Sequence, residues 1–505
     1  MTRYLRYVLI IFTALTILLL ALILYIAAIF DPNAYKAEVI QLVKEKKQRE
    51  LKLDGNIKLT FFPRVGIRIS HLALSEHESD VEFAAAETVL VSLAVLPLLR
   101  KRLELDGITI TGLKANLIRF KDGRLNIHNL IARSEEPEQF ELDVGQLLVK
   151  KSMLILSDKV SGRHFTLRNI DLEANRIDRS SGSKSGVIRR KTELAFLVNQ
   201  PAQPEINLSS KLKFTVLLDV GKQSYAVEGM SVKSTGEIEG INNLVVNSSG
   251  GFSAKFDPDP AAAEFAVQNF LFDMAGSING HNFDINVHAP GLSVVGQTIF
   301  GDPITVLGNA TGTAGKGSGK FAVAGMSGSL SDFASGLTFE LEAAKEDFTV
   351  QATFVSPLSG SLTALQFNLS DLTGMIRASS AAMPDWIAGS LTGSASVDAM
   401  SRKAQAYLTA QLAGSDMVAK LAASGSGQPG LNFEVDIDQL DLDRFSPLER
   451  RPEKGAKPME AAIASGEWLD LSLLNELNAE GSIRIGLLKA GDSRATGVKL
   501  DIISN

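Results

Sequence analysis

The sequence predicts a mainly β protein, in which an N-terminal transmembrane helix leads into an elongated antiparallel β-sheet with few helices. Three observations predict this class. An apolar run extends from Tyr7 to Phe30. The block behind it, from Leu51 to Leu130, alternates apolar and polar residues with the period of a strand. Turn signals then divide the remaining chain into further runs of that period. Composition agrees, since 505 residues that are 45% hydrophobic and 21% charged, with 42 glycines and 16 prolines, have the balance of an ordered chain.

Residues 1–6 form a short tail in which Arg3 and Arg6 precede the apolar run of residues 7–30. At 1.5 Å per residue, about 24 helical residues exceed the roughly 30 Å hydrocarbon core of a bilayer. The two arginines place the tail in the cytoplasm and everything after Asp31 on the other side. A cleaved signal peptide is the competing reading. Its apolar region spans about 7–15 residues and closes on a small-x-small site. Here the run is longer, and bulky Tyr25, Ile26, Ile29 and Phe30 surround Ala27 and Ala28, which favours an uncleaved anchor.

In residues 31–50, Asp31 and Pro32 fit an N-cap followed by proline at the first helical position. The helix that follows carries Tyr35, Val39, Leu42 and Val43 on one side and ends in the charged segment Lys44–Glu50. It reads as a solvated stalk. Contact of Lys44, Lys46 and Lys47 with anionic headgroups is a second reading.

Residues 51–130 open with LKLDGNIKLTFFPRVGIRIS, where Leu51, Leu53, Ile57, Leu59, Phe61, Val65, Ile67 and Ile69 share odd positions. Lys52, Asp54, Asn56, Lys58, Arg64, Arg68 and Ser70 occupy even ones, so one face is oily and the other wet. Pro63 marks a break or an edge there. Through the body, residues 131–445, KLKFTVLLDV aligns Leu212, Phe214, Val216, Leu218 and Val220. GLTFELEA aligns Leu337, Phe339 and Leu341, and DFTVQATF aligns Phe348, Val350, Ala352 and Phe354. Asn279-Gly280 predicts a tight hairpin, and the spacing predicts some 20 to 30 strands of about 8–12 residues. LNFEVDIDQLDLDRF slips phase, which predicts a bulge near Asp438 and Gln439. Between Gly301 and Gly336, glycine, alanine and serine predict closely approaching strands or a loose sheet. Residues 446–467, with Pro447, Pro452 and Pro458, read as a charged linker. In residues 468–505, a helix from Trp468 to Leu477 precedes final strands.

The two-part block LKLDGNIKLTFFPRVGIRISHLALS and SLAVLPLLRKRLELDGITITGLKANLIRFKDGRLN resembles the AsmA family of envelope proteins. The resemblance rests on Leu51 to Ser75 and Ser92 to Asn126, with Pro63, Pro97, Leu98, Leu99, Asp122, Gly123 and Asn126 in place. VDIDQLDLDRF and the segment from Trp468 onward are similar to the family's C-terminal portion. The chain departs from the pattern at Lys47 and Gln48, where a Thr-Gly pair is usual. It also ends while still reading as strand, which predicts a shortened form of a longer protein. The resemblance implies an elongated, curved antiparallel β-sheet groove, anchored in the bacterial inner membrane by a single span with the bulk in the periplasm. It further implies a role in outer-membrane biogenesis, the groove carrying phospholipid between inner and outer membranes, with an outer-membrane or envelope protein as a further partner.

Residue chemistry points away from catalysis. A net charge of −6 argues against nucleic acid, which demands clustered Lys and Arg. The chain has no cysteine, and its six histidines make no HExxH pair. GSGQPG, from Gly425 to Gly430, is followed by a strand rather than the helix a dinucleotide loop needs. GKGSGKF ends on Phe321 where a phosphate loop needs Ser or Thr. Asp436, Asp438, Asp441 and Asp443 read as wet-face residues. No catalytic residue, metal ligand or cofactor is assigned, and the chain is not read as an enzyme.

An apolar sheet face must be covered by something. Leu53, Ile57, Leu59, Phe61, Val65, Ile67 and Ile69 are the candidate lipid-groove residues, and packing an ordinary β-core is the alternative for each. At the level of function, the alternative is an envelope scaffold that aids outer-membrane protein assembly without binding lipid. A periplasmic hydrolase is a third, weaker reading.

Overall fold

The computed structural model describes residues 31–61, 64–94, 105–131, 144–160, 162–176, 187–200, 205–219, 222–257, 259–312, 315–346, 348–380, 387–425, 430–444, 479–490 and 493–502. The apolar run Tyr7–Phe30, the proline-rich segment and the expected helix at 468–477 lie outside them, as do Pro63 and Pro97–Leu99. Among the described residues no helix is long and apolar enough to cross a membrane. The chain is mainly β, with 27 strands, one longer α-helix and a few single turns among those residues. It divides into two compact units: Met1–Val220 with Val227–Leu244, and Gly221–Ala226 with Val245–Asn505.

In the first unit, a 3-10 turn at Pro32–Tyr35, capped by the Asp31 carboxylate, leads into helix α1 (Lys36–Lys47). The strands are β1 (Leu51–Leu53), β2 (Ile57–Thr60), β3 (Gly66–Ser75), β4 (Glu82–Leu93), β5 (Leu105–Thr111), β6 (Lys114–Arg119), β7 (Val144–Asp158), β8 (His164–Arg176), β9 (Val187–Gln200) and β10 (Ile206–Asp219). β1 and β2 both pair with β3. β5 and β6 act as one interrupted strand between β4 and β7, broken where Gly112 takes a φ of +66°.

Strands β11 (Ser224–Ile238) and β12 (Ile241–Lys255) straddle the boundary between the units. The second unit begins with β13 (Glu264–Ile278) and β14 (His281–Val295), joined by the expected Asn279-Gly280 turn, both residues at positive φ. It continues through β15 (Thr298–Gly301), β16 (Ile304–Gly312), β17 (Gly315–Val323), β18 (Ser327–Ser329), β19 (Phe333–Lys345), β20 (Phe348–Ser361) and β21 (Gln366–Ser380). The last strands are β22 (Ile387–Asp398), β23 (Lys403–Leu412), β24 (Ser415–Ser424), β25 (Gly430–Asp441), β26 (Ala479–Ala490) and β27 (Ser493–Ile502). GKGSGKF lies inside strand β17, and the GSGQPG segment joins β24 to β25, whose ends Ser424 and Gly430 are paired.

Two expectations need correction. The sheet is not wholly antiparallel: β7 runs parallel to β5 and β6, and β26 parallel to β25. Parallel neighbours require a connection of a dozen or more residues, which the stretches from Arg119 to Val144 and from Asp441 to Ala479 supply. The phase slip at Asp438 is not a bulge in one strand. Ile437 faces Ile485 and Gln439 faces Leu487 in unchanged register. Both strands change facing at the same level, so Ile437, Ile485, Leu488, Leu440 and Leu442 meet in one cluster. Similar changes of facing occur where Lys151, Asn169 and Asn269 take positive φ inside long strands.

Candidate functional site

Register places the apolar residues of successive strands in rows that run across the sheet. In the first unit one row reads Ile57, Ile69, Val89, Ile110, Val149, Leu172, Leu194 and Leu212, one residue from each of β2–β5 and β7–β10. A second row, two residues away, reads Leu59, Ile67, Val91, Ile108, Leu147, Ala174, Thr192 and Phe214. The row between them lies on the opposite face and includes Lys58, Arg68, Glu173, Glu193 and Lys213. There Glu193 lies 3.3 Å from both Lys213 and Lys191, and these two lysines hold its carboxyl below the usual carboxylate range. At strand spacings of about 4.8 Å, eight residues extend roughly 34 Å.

The second unit has the same construction over more strands. One row reads Phe272, Val287, Val306, Phe321, Phe339, Phe354, Gly374, Leu391, Ala410, Met417, Ile437, Ile485 and Val498. Phe339 and Phe354 stack with ring centroids 6.0 Å apart, and the Phe354 ring occupies the space above Gly374, where an added Cβ would collide with Cδ1. Glycine is there to make room for a phenyl ring. The glycine-rich strands β16 and β17 set Gly308 opposite Gly319, and neither has an atom closer than 3.8 Å to its missing Cβ. On the opposite face Lys320 and Glu340, Lys420 and Glu434, and Arg484 and Asp436 form ion pairs of 3.7, 3.5 and 3.3 Å.

Coverage separates these rows from an ordinary core. Among the described residues 18 hydrophobic residues are buried and 26 large ones are exposed; of the exposed ones Phe321 belongs to a row, while Leu271, Leu307, Met375 and Tyr407 lie on the opposite face. Most row residues, including Val89, Ile110, Leu172, Phe339 and Phe354, are half-buried. Closure is local. Ile485 and Leu488, each 1% exposed, lie in a cluster near the last strands, and Ile40 and Val43 of α1 pack on Leu51, Leu53 and Ile57 at the first.

The seven sequence-predicted residues divide accordingly. Leu53 and Ile57 are buried in the cluster beneath α1, against which Ile67 and Ile69 also pack. Ile57 faces Ile69 and Leu59 faces Ile67, so these four begin the two rows. Leu59, Phe61 and Val65 are half-buried around the β2–β3 connection. Sequence reading missed the continuation of the rows beyond β3, because alternation shows which residues share a face within a strand but not which strands are neighbours.

It also missed Arg49, which the charged run Lys44–Glu50 disguised as solvated. The Arg49 side chain is fully buried and donates to the Ser75 carbonyl at 2.8 Å and the Asn126 carbonyl at 2.5 Å, with Glu76 at 3.8 Å. Its guanidinium lies 4.8 Å from the Phe83 ring centre. Burial pushes its pKa below the ordinary value, and Glu76 partly offsets that. Asn126 donates to Glu76 and to the Asn116 carbonyl at 2.6 and 2.8 Å and accepts from the Ile118 N–H at 3.0 Å. The Asp122-Gly123 turn, with Gly123 at φ +83°, brings Asn126 into this network. Among the described residues no group of three or more His, Asp or Glu side chains is placed to hold a metal ion.

In each unit, rows of largely half-buried apolar residues on one face of the sheet, with ion pairs on the other, define a mainly β, sheet-built protein. The sequence profile of the AsmA family matches residues 1–466, and the chain belongs to that family. It is 23% identical over 181 residues to Protein AsmA of Escherichia coli (strain K12), a match covering 34% of this chain and 29% of that relative. No solved structure matches.

Proposed function

We propose that this chain is an inner-membrane-anchored periplasmic protein of outer-membrane biogenesis that carries phospholipid along its apolar β-face toward the outer membrane. The observation that supports this most is the half-open apolar row, repeated over eight strands in one unit and thirteen in the other. Two acyl chains hold about thirty methylenes, whose exposure to water costs on the order of 25 kcal/mol at roughly 0.8 kcal/mol each. That cost closes free diffusion between membranes. An apolar row open on one side offsets most of it and leaves the headgroup in water, and no nucleotide-binding loop is needed in this chain.

The apolar run Tyr7–Phe30 is the inner-membrane anchor in this reading, with residues 1–6 cytoplasmic. Leu59, Phe61, Val65, Ile67 and Ile69 form the membrane-proximal wall, while Leu53 and Ile57 secure α1 beneath it. Native mass spectrometry of the detergent-extracted protein tests the proposal. Bound phospholipid is expected, and its loss when Phe339 and Leu391 are both changed to Asp is the specific signature. A protein that releases no lipid under conditions where it stays folded contradicts carriage and favours a scaffold for envelope protein assembly.

A further inference from the structure

The 3-10 turn and helix α1 together carry a second apolar surface, distinct from the one packed on the first strands. Tyr35, Val39 and Leu42 are 52%, 41% and 53% exposed. Their spacing of four and three residues sets them in one stripe, which Lys46 extends by a further turn. The helix cannot roll to bury them. The Asn33 side-chain amide pairs with both backbone groups of Ile57, accepting from its N–H at 2.9 Å and donating to its carbonyl at 3.1 Å. The Lys36 ammonium donates to the Gly55 carbonyl at 2.7 Å. Ile40 and Val43 fill the cluster beneath. The stripe is therefore a fixed outward face of the first unit.

We propose that Tyr35, Val39 and Leu42 lie in the headgroup layer of a lipid bilayer, with Lys46 at the phosphates. This rests on the anchor reading above, and two observations select a bilayer as the occupant. The apolar run ends at Phe30, five residues before Tyr35, and five residues reach at most about 18 Å. The stripe also has interfacial composition: an aromatic residue with a polar tip nearest the run, aliphatic residues next, and Lys46 in the last turn, suited to anionic phosphates. The consequence is directional. Because α1 is fastened to β2 and packs over Leu51, Leu53 and Ile57, the contact sets the covered start of the apolar rows at the bilayer surface, with the half-buried residues from Val89 onward next in line.

The chain has no cysteine, so single variants report cleanly. Full-length Ala37→Cys, Val39→Cys, Gln41→Cys, Leu42→Cys and Leu18→Cys would each carry an environment-sensitive fluorophore in phosphatidylcholine–phosphatidylglycerol vesicles. Quenching is by a lipid nitroxide at headgroup depth. Probes at 39 and 42 are expected to shift to the blue and quench severalfold more than those at 37 and 41, on the far side of the helix. Equal quenching at the four positions overturns the proposal, as does disulfide-linked dimerisation of Val39→Cys in place of quenching, which assigns the stripe to a second copy. Leu18 reads the anchor separately: a water-exposed probe there defeats the anchor, while 39 and 42 against 37 and 41 decide the stripe in either case.

Discussion

Arg49 shows how much one residue contributes to the first strands. Its guanidinium satisfies carbonyls from Ser75 and Asn126, positions 26 and 77 residues away in sequence, so it joins the end of β3 to the segment after β6. Arg49→Met strands both carbonyls and removes the cation beside Glu76, which keeps its bond from Asn126, a loss of about 3 kcal/mol. Hydrogen exchange of amides in Leu51–Ser75 is expected to quicken by roughly a hundredfold, at 1.4 kcal/mol per factor of ten, with amides of the second unit unchanged. Unchanged exchange in the first strands would show that the network holds nothing. Neither strand alternation nor local charge marks Arg49, although it opens the Arg49-Glu50-Leu51 element of the family pattern. A single charged residue among lysines is otherwise set apart only by the partners that the fold brings to it.

Elements were legible where one side chain per pair decides the facing. The odd-position run from Leu51 to Ile69, the face of Leu212 to Leu218 and the shared faces of Leu337, Phe339 and Leu341 and of Val350, Ala352 and Phe354 follow from alternation. Val220 lies outside the described residues. Facing inside the longest strands was not legible, because Lys151, Asn169 and Asn269 invert it through the backbone and any of several polar residues adopts positive φ there. The helix face was misread for a related reason. Tyr35, Val39, Leu42 and Val43 make an apolar side on a wheel, yet Val43 turns inward with Ile40 while the other three face out, because hydrogen bonds from Asn33 and Lys36 fix the rotation. At this scale Gly374→Ala is a sharp test of row packing. The added methyl meets Phe354 and the Thr353 carbonyl, costs about 1–3 kcal/mol, and is expected to speed amide exchange in β20 and β21. Adding Phe354→Leu should restore most of the protection; failure to restore it would mean the clash is with backbone alone.

For the whole molecule, the rows matter more than any residue in them. Composition and period gave a β protein with a wet and an oily face, and the motif order gave the family. Neither could show that the oily faces of neighbouring strands align into rows left half-open, because alignment depends on register and openness depends on what does not pack on top. The central claim is that lipid tails occupy that open side. Site-specific photocrosslinking in intact cells tests it most directly, with the photoreactive residue placed at Val91, Leu172 or Phe339 on the apolar rows and at Thr109, Glu173 or Glu340 on the opposite face. The account predicts phospholipid adducts at the first three positions and none at the second three. Adducts equally distributed between the faces, or adducts of protein alone on the apolar rows, would contradict it.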